Sequence, residues 1–316
     1  MSEAAREPPH EGAAVPQPSR REGRAVDIVG RLTQRLEQGR GAERRLAETI
    51  LADLQFAAQA TIAEIAQRAE VSEPTITRLA RALGFSGTQE MRIHIAQALA
   101  VGGAYLRVPP TPPEGSAAYG GAIAAIAQGA HAALDLFALG LAETDIGGIA
   151  RSLKNARSIV ACGTGGGSSM AAVEMQTRFF RLGLRITAHS DPQLQRMNAS
   201  VLGKPDVLVG FSVSGQARSV IDALCIAHQY GARTIAVTQP GTPLAEAADT
   251  LMPLTFREDG NLYKPSSVRY GLLAAVDILA MATAHAIGPP VIESLRRVRQ
   301  SLASQDILNP NLPIGD

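Results

Sequence analysis

The spacing of apolar residues divides the chain into two parts with different predicted structure. Up to about residue 104, apolar side chains recur every three or four positions without alternating, which predicts helices. After two further predicted helices at 122–140 and 143–155, short β-branched runs alternate with helical stretches. These runs are 158–162, 184–188, 206–211, 233–237 and 250–254. Such alternation predicts parallel strands joined by crossover helices, so we expect a two-domain protein, all-α then α/β, with the parallel sheet sandwiched by helices.

Proline-rich stretches mark the expected boundaries. The segment RVPPTPPEGSAAYGG contains two Pro-Pro pairs, which interrupt helices, and we assign 105–121 to an interdomain linker. Few large apolar residues occur in 1–22, which we expect to be a disordered tail. The domains are then 23–104 and 122–300, and a C-terminal tail covers 301–316.

Residues 61–85 carry the pattern of a helix-turn-helix. A helix at 62–69 is followed by a three-residue turn at 70–72, with Ser72 as the N-cap of a second helix and Pro74 in its first turn. If the apolar residues of this second helix face the core, its outward residues are Thr75, Thr77, Arg78 and Arg81. Such groups can contact phosphates and base edges of double-stranded DNA. An ordinary helical hairpin and a protein-docking bundle remain alternatives.

Two predicted strand-to-helix junctions in the second part are suited to binding an anion. The first, SIVACGTGGGSS, supplies Gly163, Gly165, Gly167 and Ser168; the second, DVLVGFSVSGQA, supplies Ser212, Ser214 and Gln216. Helix N-termini present free N–H groups and a positive dipole end, and ligands bind at the carboxyl ends of parallel strands. The alternatives are a tight glycine turn without a ligand, and a dinucleotide site built on an imperfect GxGxxG pattern.

In combination, these motifs resemble the RpiR family of bacterial transcriptional regulators, in which a helix-turn-helix precedes a sugar isomerase (SIS) domain. The resemblance spans about residues 25–300 and rests on TIAEIAQRAEVSEPTITRLARALGFSG, GTGGGSSMAA, FSVSGQA, GARTIAVTQPGTPLAEAAD and KPSSVRYGLLAAVDILA. It implies a sugar-catabolism regulator, which we expect to be a repressor. It also implies an operator of double-stranded DNA, a phosphorylated sugar or sugar acid as effector, and a homodimer or tetramer.

The resemblance also assigns site residues. Ser212 and Ser214 would hold the phosphate, the turn from Gly163 to Ser168 would form the facing wall, and Lys264 would approach the ligand. Two positions depart from the family pattern, because its usual loop serine falls at Gly167 and its usual threonine at Ala217. Each change removes a hydroxyl, for which Gln216 and Ser219 could partly compensate.

Composition narrows the class of protein. The chain has 316 residues, 46% of them apolar, and a formal net charge of +1, which argues against a basic protein that coats nucleic acid indiscriminately. Its two cysteines lack metal-like spacing, so we expect no metal site, and we expect no cofactor. No export signal is recognised, and the apolar tract 271–288 is interpreted as a buried helix, so we expect a cytoplasmic protein that does not enter membranes.

A phosphosugar isomerase using the same SIS pocket is the principal alternative function. It would need a general base, for which the titratable candidates are Glu174, His189, Asp191 and His228. None has a spacing that requires catalysis. We therefore expect no catalytic residue and a protein that is not an enzyme.

Overall fold

The computed structural model describes residues 26–103, 116–258, 260 and 263–303. The chain forms two compact units that divide between Pro109 and Pro110, inside the segment expected to be a linker. The predicted tail at 1–22 lies outside the described residues, as does 304–316.

The first unit is helical throughout its described residues. Its helices are α1 (Ile28–Gln38), α2 (Ala42–Ala52), α3 (Leu54–Gln59), α4 (Ile62–Arg68), α5 (Glu73–Ala82) and α6 (Thr88–Gly102). Asp53 ends α2 and caps α3, because its Oδ1 accepts a hydrogen bond from the Phe56 N–H at 2.9 Å. Leu46, Ile50, Ile65 and Ile76 are buried in one core shared by these helices.

The predicted helix-turn-helix consists of α4 and α5. A reciprocal capping box starts α4: the Glu64 N–H donates to Thr61 Oγ1, and the Thr61 N–H donates to the Glu64 carboxylate. Ser72 is the N-cap residue of α5, as expected, but its hydroxyl lies 2.9 Å from Thr75 Oγ1 and makes no capping bond to the backbone. Both helices are therefore bounded by local polar contacts.

The second unit alternates helices and strands. Its elements are α7 (Ser116–Gly140), α8 (Ile146–Lys154), β1 (Ile159–Gly163), α9 (Gly166–Phe179), a 3₁₀ turn (Phe180–Leu182), β2 (Ile186–His189), α10 (Pro192–Ser200), β3 (Val207–Phe211), α11 (Arg218–Gln229), β4 (Arg233–Thr238), α12 (Pro243–Glu246), β5 (Thr250–Pro253), α13 (Val268–Ile287) and α14 (Pro290–Ala303). Two of the domain boundaries differ from those expected. Helix α7 includes 116–121, which we had assigned to the linker, because the last proline before it is Pro113. Helix α14 includes 301–303, which we had assigned to the C-terminal tail.

The five strands form one parallel sheet in the order β2-β1-β3-β4-β5. Each predicted strand is present, with ends within two residues of those expected from the sequence. Residues of α8, α9 and α13 are buried against one face of the sheet, and residues of α10 and α11 against the other. The predicted α/β sandwich is therefore confirmed.

The long apolar helix α13 belongs to this core. By length and composition alone, 119–140 and 268–287 could each cross a bilayer. Within α13, however, Leu272, Ala275, Val276 and Leu279 are fully buried against the sheet and its covering helices. The tract interpreted from the sequence as a buried helix is therefore a core helix.

Candidate functional site

The outer face of α5 carries the residues that we expected to contact DNA, with one exception. Arg78 and Arg81 are exposed and Thr77 is half-buried. Thr75 is buried, so its predicted outward orientation was wrong. Its hydroxyl lies 3.0 Å from the Arg78 guanidinium, which donates to it, and 2.9 Å from the Ser72 hydroxyl. Thr75 therefore orients Arg78 at the surface and is not itself an exposed contact.

The first strand-to-helix junction is built around close backbone packing. At Gly163, an added Cβ would lie 2.1 Å from the Ser168 carbonyl oxygen, so only glycine lets β1 end this close to α9. Gly165 has φ +84°, a left-handed conformation that favours glycine. The first helical bond runs from the Ser169 N–H to the Gly165 carbonyl at 3.0 Å. The N–H groups of 166–168 therefore have no acceptor within the helix and point out of its N-terminus.

The second junction is a tight serine-glycine turn after β3. Ser212 is buried, and its Oγ accepts a hydrogen bond from the Gly215 N–H at 3.0 Å. Ser214 is exposed, and its Oγ accepts from the Gln216 N–H at 3.3 Å. Helix α11 begins at Arg218, and its N-cap residue, Ala217, provides no side-chain cap.

The fold brings the two junctions together. Strands β1 and β3 are neighbours in the sheet, and Gly163 pairs with Phe211 in their register. The Val213 N–H donates to Ser168 Oγ at 3.3 Å, and Thr164 Oγ1 lies 3.0 Å from Ser219 Oγ. The free N–H groups of α9 and the hydroxyls of both turns thus share one edge of the sheet. This arrangement can bind an anion through neutral donors.

Three predicted site residues have structural surroundings that the sequence did not show. Ser168 is buried, and its oxygen is already the acceptor for the second turn. Gly167 is not required sterically, because an added Cβ would meet Leu272 at an ordinary 3.4 Å. Lys264 packs beside α7, where its Nζ would lie 3.0 Å from a Cβ added at Gly129. Contact of these residues with a ligand stays a prediction.

The site contains two residues that the sequence analysis missed. Thr164 lies in the glycine turn itself, and a hydroxyl directly after a strand could have signalled it. Gln195 on α10 is fully buried and donates to the Thr164 hydroxyl at 3.2 Å. Nothing local to Gln195 in the sequence indicated this contact, because the two residues lie 31 positions apart.

The four titratable candidates for an isomerase each have another contact. Glu174 pairs with Arg178 within α9, and Asp191 caps α10 by accepting from the Leu194 N–H. His189 lies 3.2 Å from the Thr187 hydroxyl. His228 pairs with Asp249 at 3.0 Å near the C-terminus of α11, the end of that helix remote from the junctions.

In β1, burial raises the pKa of the Cys162 thiol to about 12, so this thiol is uncharged at neutral pH.

Comparison with known proteins identifies both units. Residues 26–102 match the helix-turn-helix domain of the rpiR family, and residues 152–282 match the SIS domain. The chain is 34% identical over 281 residues to the HTH-type transcriptional regulator HexR of Pseudomonas aeruginosa, covering 87% of this chain and 95% of that relative. This chain belongs to the RpiR family of helix-turn-helix transcriptional regulators. HexR of Escherichia coli is 30% identical to this RpiR-family regulator over 277 residues, covering 88% of this chain and 94% of that relative.

The same two-unit fold occurs in a solved structure. The Vibrio vulnificus NanR protein complexed with ManNAc-6P matches 88% of this RpiR-family chain and 99% of its own, with a TM-score of 0.55 and 21% sequence identity. At that identity the likeness concerns the fold alone.

Proposed function

We propose that this RpiR-family protein is a cytoplasmic repressor of sugar-catabolism genes that binds operator DNA as a homodimer and senses a phosphorylated sugar or sugar acid. The effector binds where the two strand-to-helix junctions meet, and its binding changes affinity for DNA. The observation that carries the proposal is the contact between the junctions, from the Val213 N–H to Ser168 Oγ, in a chain that also contains a helix-turn-helix. The protein acts by binding, without catalysis.

Support for DNA binding comes from the outer face of α5. Arg78 is held by Thr75 and is exposed one turn before Arg81, so both guanidinium groups can reach a groove or its phosphates. Residues 20–107 contain 13 arginines and 10 acidic residues, a net charge of only +3, which implies modest affinity for each module and favours two modules on one operator.

The DNA interface is tested with Arg78→Ala and Arg81→Ala. Fluorescence anisotropy on the DNA upstream of the gene should show about 5- to 100-fold weaker binding for each, because a phosphate or base contact is lost. Arg151→Ala is the control, because Arg151 is an exposed arginine of the second unit. Operator binding that survives both changes, with the circular dichroism spectrum intact, would show that α5 does not read DNA.

Support for an anionic effector comes from the donors at the junctions. The N–H groups of 166–168 and the hydroxyls of Ser212 and Ser214 are neutral donors, which can bind a phosphate without a buried lysine or arginine. A sugar phosphate or phosphorylated sugar acid supplies the anion together with hydroxyls for specificity.

A thermal-shift screen tests the effector site. Phosphorylated sugars and sugar acids are compared with the same sugars lacking phosphate. A ligand at a hundredfold excess over its dissociation constant should stabilise the protein by about 2.7 kcal/mol. Ser214→Ala should weaken this shift with little effect on the ligand-free protein, because Ser214 is exposed. If phosphorylated and unphosphorylated sugars shift the melting temperature equally, the anion does not drive binding.

Support for self-association comes from α7. This helix exposes large apolar side chains, among them Tyr119 and Ile123, which lie one turn apart on the same face and are each more than 70% exposed. Soluble monomers rarely leave such a set on one helix uncovered. A second copy of the chain would bury these residues and place two helix-turn-helix modules on one operator.

A further inference from the structure

A buried glutamine connects three parts of the anion site. The Nε2 atom of Gln195 lies 3.2 Å from the Gly163 carbonyl oxygen, 3.0 Å from the His189 carbonyl oxygen and 3.2 Å from Thr164 Oγ1. The two carbonyls end β1 and β2, and Thr164 belongs to the glycine turn. The side chain of Gln195 is fully buried. It therefore contacts the turn from the interior of the protein.

The orientation of the amide follows from its partners. Two of the three neighbouring oxygens are backbone carbonyls, which only accept hydrogen bonds, so the Gln195 nitrogen must face them. The amide has two hydrogens for three acceptors. When one of them is donated to Thr164, the hydroxyl of Thr164 acts as an acceptor there, and its own hydrogen turns toward a different partner.

That hydrogen has two possible acceptors. Ser219 Oγ lies 3.0 Å from Thr164 Oγ1, at the start of α11. An anionic oxygen at the junction is the stronger acceptor, because hydrogen bonds to charged groups are shorter and stronger. Thr164 is exposed and Ser219 is half-buried, so an anion can reach both.

The oxygen of the Gln195 amide is unpaired within the described part of the chain. This atom, Oε1, is buried and has no hydrogen-bond partner there. A buried acceptor left unpaired is destabilising, and a methionine of similar size would avoid that loss. The amide nitrogen, with its three acceptors, therefore has a role that offsets the unpaired oxygen.

We propose that Gln195 is a positioning residue for anion recognition: its amide holds the Thr164 hydroxyl so that this hydroxyl donates to the anionic oxygen of the effector. This inference rests on the proposed function, because it names the group that recognises the anion at that site. Thr164 makes the contact, and Gln195 acts through Thr164.

A double-mutant cycle tests the proposal. The variants are Gln195→Met, Thr164→Val and the double variant, and the probe is inorganic phosphate, titrated by thermal shift at constant ionic strength. We expect each single variant to bind phosphate about tenfold more weakly, and the double variant to bind no worse than Thr164→Val. Thr164→Ser, which keeps the hydroxyl, should bind as the unmodified protein does.

The outcomes separate this inference from the proposed function. If Gln195→Met binds phosphate normally, or weakens binding equally in the Thr164→Val background, Gln195 does not act through Thr164 and the inference is wrong. If the unmodified protein binds neither phosphate nor any phosphorylated sugar, the proposed function fails as well. Should Gln195→Met not fold, Gln195→Leu replaces it, because an apolar side chain also loses both N–H donors without adding a charge and should weaken phosphate binding only when Thr164 is present.

Discussion

Replacing Gly163 by alanine should separate β1 from α9. A Cβ at this position would lie 2.1 Å from the Ser168 carbonyl oxygen and 2.5 Å from its carbonyl carbon. These are backbone atoms of the first turn of α9, so no side-chain rotation can relieve the contact. To reach 3.0 Å, the shortest separation that such contacts tolerate, the helix start must move by about 0.9 Å.

The expected cost lies at the upper end of the range for overpacking. Such substitutions typically cost 1–3 kcal/mol, and because rigid backbone atoms clash here we expect a loss of about 3 kcal/mol. For a unit of about 200 residues, this corresponds to a melting temperature lower by about 6–12 °C. Effector affinity should also fall, because the displaced turn carries the free N–H groups.

Differential scanning calorimetry with a matched variant measures this effect. Gly166→Ala removes a glycine from the same turn, but nothing lies within 4 Å of its added Cβ, and φ there is not positive. Because alanine restricts the unfolded chain, Gly166→Ala should be neutral or stabilise by about 0.4–1 kcal/mol. If the two variants differ by less than about 0.5 kcal/mol, the close approach of strand and helix is not what requires glycine at 163.

Three further predictions concern the second unit. Asp206→Asn should destabilise it by about 1–3 kcal/mol at neutral pH. Burial raises the pKa of Asp206, but hydrogen bonds from Arg157 and from backbone N–H groups outweigh burial, so the pKa of Asp206 in the folded protein is lowered. The difference in unfolding free energy between the unmodified protein and Asp206→Asn, measured in urea, should therefore shrink as the pH falls from the ordinary pKa of 3.8 through the lowered one. Ala217→Thr should stabilise the second unit by about 0.5–2 kcal/mol, because the threonine hydroxyl can cap α11. Urea unfolding compares this variant with Ala217→Val, which has the same shape but no hydroxyl, and equal stability of the two variants would exclude capping. Ile123→Asp should convert the dimer to monomers, as measured by analytical ultracentrifugation. Ile292→Asp, which changes a comparably exposed residue of α14, should leave the dimer intact. If the Ile123→Asp variant remains a dimer, α7 is not the interface.

The strands and the helix-turn-helix were predictable because their signals are local. Each strand is a short β-branched run. In the three central strands, β1, β3 and β4, five consecutive residues are buried, and burial on both faces of a parallel sheet leaves such an apolar run in the sequence. The glycine turn and the serine turn were recognisable for the same reason, since both are defined by consecutive residues. Even the burial of Thr75 could have been foreseen, because Thr75 lies four residues before Leu79 and therefore on the same face of α5.

Local signals did not extend to the partners of the turns. Gln195 contacts Gly163 from 32 positions away, and no spacing rule connects a residue of α10 to the end of β1, because α9, the 3₁₀ turn and β2 lie between them in the chain. The start of α7 at Ser116 was not predicted, because Gly120 and Gly121 suggest a loop. In the structure both glycines lie inside α7, which continues into the long apolar segment that follows them.

The amino-acid order established which elements form and which turns carry donors, because propensity, capping and periodicity act over a few residues. Whether the two turns meet depended on the sheet. The order β2-β1-β3 places the ends of β1 and β3 side by side, so that Val213 reaches Ser168 across 45 positions of chain. Strand neighbours are selected by the burial of both sheet faces under helices, a property of the whole packed unit that no short segment contains.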